Sequence, residues 1–275
     1  MIRFLMSFLG GIFTLVTMGL FAVAMSIGAV FYIYGRDLPS HESLSQYTPP
    51  TISRIYSGEG RIVDEFARER RLFTGAKDVP ILIKQAFISA EDKNFYSHPG
   101  YDLRGILSAA VDAARSGGRR VRGASTITQQ VMKNFLLDGS RRAERKIKEI
   151  ILATRIENTL DKERILELYL NEIFLGQNSY GVTAAAQTYF NKTLDELAPH
   201  EAAFLASLPK APSDFHPVRR KQRLLDRRNY VLKEMWQNGF LEEAAYRAEA
   251  AQPLLSVQNG DFKSFRSALP RRGYF

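Results

Sequence analysis

An uncharged apolar run near the N-terminus constrains this chain more than any other feature. Residues 4–34 contain no Asp, Glu, Lys or Arg. About 20 apolar residues cross the hydrocarbon core of a bilayer, whereas the apolar part of a cleavable signal is about 7–15 residues long. The run therefore predicts a retained transmembrane anchor over residues 1–36 with a short cytoplasmic N-terminus, and cleavage as a signal is the less favoured alternative.

The rest of the chain predicts a mainly α protein. Residues 37–51 are rich in Ser and Pro and predict a linker. Residues 53–56 and 61–66 favour strands on either side of a Gly-containing turn, which predicts a small β-hairpin. From Ile81 onward Leu, Ala, Glu, Lys and Arg dominate, as is typical of helices. We therefore expect one folded domain over residues 52–250, followed by a second linker.

One predicted helix has two possible environments. Apolar residues from Leu103 to Ala114 recur with helical spacing and form one stripe. A glycine- and arginine-rich loop follows at 115–122. Either the stripe packs into the core, or it lies with the basic loop against anionic lipid headgroups.

An acidic pair is the first candidate for chemistry. Glu91 and Asp92 follow an apolar helical run, with Phe95 and His98 close behind. An aromatic ring and an imidazole can desolvate and orient a carboxylate, which raises its pKa toward that of a general base. The alternative is an ordinary solvated pair.

Two polar segments follow the acidic pair. Thr126, Gln130 and Lys133 are spaced to share one helix face, with Asn134 beside them, and such a face suits sugar hydroxyls or phosphate oxygens. A helix cap at Ser125 or Thr126 explains the same residues structurally, and both explanations can hold together.

The second segment places Arg145 and Lys146 before Glu149. It reads either as a surface ion pair at i and i+4 or as a second carboxylate accompanied by positive charge. The absence of cysteine excludes disulfides, thiolate metal sites and a cysteine nucleophile.

Five segments in this order closely resemble the peptidoglycan glycosyltransferase family 51 domain, which occurs in class A penicillin-binding proteins and monofunctional transglycosylases. The resemblance covers roughly residues 50–250. The segments are EDKNFYSHPG (91–100), GASTITQQVMKN (123–134), RKIKE (145–149), ILELYLNEIFLGQNSYGV (165–182) and EAAFLASLPKAPS (201–213).

The resemblance implies a lysozyme-like fold whose cleft opens near the outer face of the bacterial cytoplasmic membrane. It implies that lipid II is polymerised into β-1,4-linked glycan with inversion and release of undecaprenyl pyrophosphate. In this scheme Glu91 is the catalytic base, held in place by Asp92. Glu149 is the second catalytic carboxylate and lies at the pyrophosphate, directly or through Mg²⁺ or Mn²⁺. The implied substrate-binding residues are Asp92, Phe95, His98, Thr126, Gln130, Lys133, Asn134, Arg145 and Lys146.

The implied partners are lipid II, the growing lipid-linked glycan and the cytoplasmic membrane, with cell-wall synthesis regulators as further candidates. The resemblance also favours lipid contact for residues 103–114. Bifunctional members continue into a transpeptidase domain with Ser-x-x-Lys and Lys-Thr-Gly motifs. This chain lacks Lys-Thr-Gly, and its one Ser-x-x-Lys, Ser207–Lys210, lies within the glycosyltransferase-like segment 201–213. The stretch 251–275 looks like the start of a linker toward that domain, so we expect a truncated bifunctional protein, with a natural monofunctional enzyme as the alternative.

Two other function classes compete with this one. A lytic enzyme on a similar fold also needs a carboxylate, but it needs neither an anchor nor cations for a diphosphate. The net charge of +9 suggests a nucleic-acid binder or an anchored scaffold. Much of the excess charge lies at 115–122 and 219–228 without interleaved aromatics, and a basic surface beside anionic lipid explains it better. We therefore expect no nucleic-acid partner.

Overall fold

The computed structural model describes residues 2–36, 38–39, 44, 47, 53–56, 58, 62–66, 70–117, 125–137 and 142–261. Within this part the fold is mainly α, as predicted. Ten α-helices are described: α1 Ile2–Gly35, α2 Ile81–Glu91, α3 Leu103–Arg115, α4 Ile127–Leu136, α5 Arg142–Glu157, α6 Lys162–Glu172, α7 Val182–Phe190, α8 Pro199–Ser207, α9 Lys221–Gln237 and α10 Glu243–Ala251.

Helix α1 is the predicted apolar helix. Its segment Met6–Gly35 has a mean hydropathy of 2.1, and its most apolar stretch is not buried in the protein. The hydroxyls of Thr14, Thr17 and Ser26 each donate to the carbonyl four residues earlier, so these polar side chains are satisfied within the helix. The helix is long and apolar enough to cross a bilayer.

The predicted hairpin is also present. Strands β1 (Ser53–Tyr56) and β2 (Ile62–Phe66) pair antiparallel, with Ser53 opposite Phe66. Farther along, β3 (Arg70–Arg71) pairs in parallel with β4 (Ser179–Tyr180). These short pairs are the whole strand content of the described residues.

The helical core is built around α2, which packs against α8 and α9, while α4 packs against α5 and α6. Ile83 and Phe87 of α2 are fully buried in it. Leu44 and Leu254 are buried in the same core, although they come from the two segments predicted as linkers. Packing therefore extends past the predicted limits of the domain on both sides. Residues 262–275, in the predicted C-terminal linker, lie outside the described residues.

Helix α3 has the predicted amphipathic pattern but does not bury its apolar stripe. Leu103 and Leu107 keep 68% and 66% of their surface exposed, while Ala109 is buried. The core-packing alternative is therefore wrong for most of this stripe. Asp102 caps the helix by accepting from the backbone N–H of Gly105 at 2.9 Å. Most of the basic loop that follows lies outside the described residues.

Candidate active site

The acidic pair lies where α2 ends. Glu91 is the last residue of the helix, and Asp92 follows as its C-cap. Because α2 runs through the core, its C-terminal end has a defined position. The Glu91 side chain remains 13% exposed and the Asp92 side chain only 3%. The two adjacent carboxylates therefore have different environments, with Glu91 facing outward and Asp92 facing inward.

Asp92 joins two segments of the chain. Its oxygens lie 2.9 and 3.0 Å from Nε2 of His98, and Oδ2 accepts from the backbone N–H of Ile127 at 2.9 Å. The other ring nitrogen of His98, Nδ1, accepts from the backbone N–H of Gly100 at 3.1 Å. Since Nδ1 is an acceptor, Nε2 carries the hydrogen and donates to Asp92. Asp92 thus connects the loop after α2 to the positive end of α4.

Phe95 and Lys162 hold the loop after α2 in place. Phe95 is fully buried, and Nζ of Lys162 lies 4.7 Å from its ring centre. The same Nζ donates to the His98 carbonyl at 2.7 Å. Phe95 and His98, predicted to bind substrate, are therefore buried behind the carboxylates. In this position they fit a role in supporting the carboxylates better than direct contact with substrate.

Thr126 and Gly100 close this network. Thr126 is the N-cap of α4, because its hydroxyl oxygen accepts from the Gln129 backbone N–H at 3.2 Å. Its hydroxyl donates to the Gly100 carbonyl at 2.7 Å. Gly100 has a φ of +94°, and a Cβ there would come within 2.6 Å of the Ala153 carbonyl oxygen. The predicted cap is confirmed, and the buried Thr126 is occupied by structural bonds.

Glu91 has the electrostatics of a base. Burial is the largest effect on its pKa and raises it, and the negative charge of Asp92 adds to the rise. The Gln130 hydrogen bond and the positive charges of Arg227 and Lys210 lower the pKa, but the net shift is upward. Nε2 of Gln130 donates to Oε2 at 3.0 Å, and Nη2 of Arg227 lies 3.8 Å from Oε1. A carboxylate held in this way stays oriented and accepts a proton more readily than a solvated one.

A buried tyrosine, Tyr169, lies close to Glu91 and Asp92. The Tyr169 side chain is fully buried, and its hydroxyl has no hydrogen-bond partner among the described residues. Burial raises the pKa of this phenol well above its ordinary value, and the charges of Glu91 and Asp92 add to the effect. The phenol therefore stays protonated beside both carboxylates.

The second charged group lies on α5. Nζ of Lys146 donates to Oγ of Ser125 and to Oε1 of Gln129, both at 2.7 Å, and to Oε2 of Glu149 at 3.1 Å. Nε of Arg145 lies 3.4 Å from the other Glu149 oxygen. Glu149 is buried, with its two oxygens facing different cations. The predicted ion pair is confirmed, but it is a three-residue cluster in which the carboxylate is buried while the side chains of Arg145 and Lys146 stay partly exposed.

Helix α4 connects the two carboxylates. Two consecutive glutamines contact different groups: Gln130 donates to Glu91, and Gln129 accepts from Lys146, the lysine of the Glu149 cluster. Neighbouring residues on a helix point about 100° apart, so one short helix can serve sites on two sides. Lys133 and Asn134, also predicted here, are exposed on the same helix.

Two basic residues near the site, Arg227 and Lys210, and the burial of a third, Arg228, were missed at the sequence level. Arg227 and Lys210 act on Glu91, and Arg227 also donates to the Ala90 carbonyl at 3.3 Å. Arg228 is fully buried and donates to the carbonyls of Pro253 and Ala250. The assignment of the whole 219–228 cluster to a lipid-facing surface is therefore wrong for Arg227 and Arg228. A signal was available in the apolar Val231 and Leu232, which place the preceding turn against the core.

The donor set around Glu149 does not favour a metal ion. Both oxygens already face cations, and the described residues contain no group of three His, Cys, Asp or Glu side chains that could hold a metal. A divalent cation would have to displace Lys146 or Arg145. The predicted divalent cation remains a prediction.

Comparison with known proteins places this arrangement in a family. The family model described as "Transglycosylase" matches residues 59–236. The chain belongs to the transglycosylase family. The matched range includes both carboxylates and the helix that connects them.

The relatives of this transglycosylase domain are longer proteins. Penicillin-binding protein 1A of Rickettsia felis is 47% identical over 243 residues, covering 86% of this chain and 31% of that protein. Penicillin-binding protein 1A of Aquifex aeolicus is 41% identical over 243 residues, covering 88% and 33%. The crystal structure of penicillin-binding protein 1A from Haemophilus influenzae has a TM-score of 0.46 at 30% identity, covering 76% of this chain and 22% of that one. This chain thus spans about a third of the length of the first two relatives.

Proposed function

We propose that this transglycosylase domain is a peptidoglycan glycosyltransferase that polymerises lipid II into β-1,4-linked glycan in bacterial cell-wall synthesis. The observation that carries the proposal is the link through α4 between Glu91, a mostly buried base, and the Glu149 cluster, whose two cations, Lys146 and Arg145, suit a diphosphate. A lytic enzyme needs only the first of these two parts.

In the proposed reaction the acceptor is the 4-hydroxyl of an N-acetylglucosamine. Its oxygen attacks the anomeric carbon of the donor glycan from the face opposite the diphosphate, and the configuration inverts from α to β. Glu91 takes the hydroxyl proton as the new C–O bond forms. The bond to the diphosphate breaks at the same carbon, and undecaprenyl pyrophosphate leaves with the electron pair. The raised pKa of Glu91 makes it a stronger base for this step.

Lys146 and Arg145 would offset the charge that develops on the leaving diphosphate. Both are held by Glu149, so in this proposal Glu149 orients cations around the diphosphate. Lys133, exposed on α4, can add a third cation at the mouth of the site. Preorganised cations of this kind stabilise a transition state because they need no rearrangement during the reaction.

The proposed location is the inner membrane of a bacterium, crossed once by α1, with the catalytic domain on the outer side. Lipid II, the growing glycan and the membrane are the proposed partners, together with cell-wall synthesis regulators. The exposed stripe of α3 would rest on the lipid surface, because exposed Leu103 and Leu107 gain from leaving water.

The test is polymerisation of labelled lipid II by the detergent-solubilised protein, with products separated by size. We expect long strands from the wild type and from Glu243→Gln, a control at an exposed glutamate of α10, and none from Glu91→Gln. Parallel reactions with and without Mg²⁺ test the predicted cation. Absence of polymer from folded wild type, or release of soluble fragments from sacculi in its place, would overturn the proposal.

A further inference from the structure

Lys146 has an acceptor for each of its three N–H donors. Its ammonium donates to Oγ of Ser125 and Oε1 of Gln129, both at 2.7 Å, and to Oε2 of Glu149 at 3.1 Å. A lysine ammonium has three N–H bonds, so this set pairs all of them. Two of the acceptors lie at the start of α4 and the third lies on α5. The ammonium is therefore held in one position between the two helices.

That position is unfavourable for an isolated cation. Ser125 directly precedes Thr126, the N-cap of α4, and Gln129 lies in the first turn of the helix. The positive end of a helix dipole favours anions and repels cations. The Lys146 side chain keeps 40% of its surface exposed, so solvent could hold its charge farther from α4. The acceptors on α4 thus keep a cation where a negatively charged ligand would gain from both the ammonium and the helix.

The three acceptors differ in how easily they are replaced. Ser125 is exposed, so a water molecule or a ligand oxygen can take the place of its hydroxyl. Glu149 lies three residues beyond Lys146 on the same helix and holds the ammonium on α5. Gln129 has no exposed surface, so no water can replace its Oε1. Gln129 is therefore the buried acceptor that keeps the ammonium close to α4.

The Gln129 side chain is not explained by stability. Its backbone N–H is bonded to the Thr126 cap at 3.2 Å, which fixes the residue at the start of the helix. Its Nε2, however, has no hydrogen-bond partner among the described residues. A buried amide with unpaired N–H bonds costs free energy, which an apolar side chain of similar length would avoid. The contribution of this residue is therefore the oxygen that it presents to Lys146.

We propose that Gln129 is a positioning residue for the leaving diphosphate, an assignment that rests on the proposed function. Gln129 and Glu149 hold the Lys146 ammonium from the buried side, and a phosphate oxygen replaces the exposed Ser125 hydroxyl as its third acceptor. The neighbouring Gln130 donates to Glu91. In this proposal the two consecutive glutamines serve different steps, with Gln130 orienting the base and Gln129 orienting the cation at the leaving group.

A double-mutant cycle measured by binding tests the proposal without turnover. The probe is labelled undecaprenyl diphosphate, bound to the full chain in detergent. The variants are Gln129→Met, Lys146→Met and the two combined, because Met is about as long as Gln and offers no oxygen. We expect Gln129→Met to raise the Kd about tenfold in the wild-type background and to have no effect once Lys146 is replaced. Gln129→Leu repeats the cycle if Gln129→Met does not fold.

Two outcomes of the cycle would overturn the proposal. An unchanged Kd in Gln129→Met would show that the oxygen is not needed. An equal rise in Kd with and without Lys146 would show that Gln129 does not act through this lysine, since a general disturbance of α4 persists in both backgrounds. If the wild type makes polymer in either case, the proposed reaction stands without the positioning role.

The pH dependence of polymerisation gives a second readout. Gln129→Met should lower kcat/KM about tenfold and leave the acid limb where it is in the wild type. Gln130→Met is the matched control, and it should move that limb to higher pH because the Gln130 hydrogen bond lowers the Glu91 pKa. A moved limb in Gln129→Met would contradict the proposed division between the glutamines. A wild type that makes no polymer but shows the coupling in the binding cycle would refute the reaction and leave the positioning role standing.

Discussion

Gly100 is the point at which the loop after α2 touches α5, and replacing it tests the fold of the site. Gly100→Ala introduces two penalties. The φ of +94° lies outside the range that an L side chain adopts easily, and the new Cβ would lie 2.6 Å from the Ala153 carbonyl oxygen and 2.7 Å from its carbon. Both contacts are with backbone, which cannot rotate away as a flexible side chain can.

The two penalties can be separated with a matched glycine. Gly239 has a φ of +76°, and a Cβ there would meet nothing within 4 Å. Gly239→Ala therefore shows the conformational penalty alone, about 1 kcal/mol. Gly100→Ala adds an overlap with backbone, which in packed interiors costs about 2 kcal/mol more. We expect free energies of unfolding lower by about 1 and 3 kcal/mol in the two variants.

Thermal unfolding in detergent, followed by circular dichroism, measures the difference. At about 3 °C per kcal/mol for a chain of this size, Tm should fall by about 3 °C in Gly239→Ala and about 9 °C in Gly100→Ala. Equal Tm values for the two variants would refute the close approach of Gly100 to α5. The comparison bears on the site because the Gly100 carbonyl accepts from Thr126 and its N–H donates to His98.

Four further predictions concern the carboxylate, its hydrogen bond to Gln130, the α4 cap and the contact of α1 with α5. Burial raises the pKa of Glu91, so the stability that its protonated form contributes is full below the ordinary pKa of 4.5 and is lost as pH rises through the raised pKa. At neutral pH the charged carboxylate is therefore destabilising, and Glu91→Gln should raise Tm. An unchanged or lower Tm would contradict this. The Gln130 hydrogen bond lowers that pKa, so in Gln130→Leu the acid limb of the pH–activity profile should move to higher pH, whereas an unmoved limb would show that Glu91 is not the titrating base. Thr126→Ala should lower stability by about 1 kcal/mol in denaturant unfolding through loss of the α4 cap, and Thr126→Ser should retain it; equal losses would rule out capping. Arg155→Gln should speed proteolysis near Gly35, since the guanidinium bond to the last α1 carbonyl is lost, and an unchanged cleavage rate would argue against this contact.

Several parts of the fold could be predicted because their causes are local. The uncharged run predicts α1, and the strand residues flanking a glycine turn predict the hairpin. The sequence offers Thr126 as a cap, and its hydroxyl oxygen does accept from the backbone N–H of Gln129 in α4. In each case the deciding interactions lie within a few residues of one another, and a local pattern in the sequence reports them.

The surroundings of Glu91 could not be predicted in the same way. Arg227 reaches this carboxylate from α9, far along the chain, and its neighbour Arg228 is buried. Both looked like part of a basic surface, since charge counts do not tell which way a side chain points. Only the packing of α9 against α2 turns one arginine toward the acid and the other into the interior.

By itself, the sequence determined that the chain has a long apolar N-terminal helix, a short hairpin, a helical body and an ordered set of motifs resembling one glycosyltransferase family. The tertiary structure alone decided that α4 connects Glu91 to the Glu149 cluster and that α5 meets the anchor helix on its other side. The physical reason is the distance along the chain over which each interaction acts. Helix periodicity and caps act within a few residues, whereas the pKa of a carboxylate and the position of a cleft depend on which distant helices bury them.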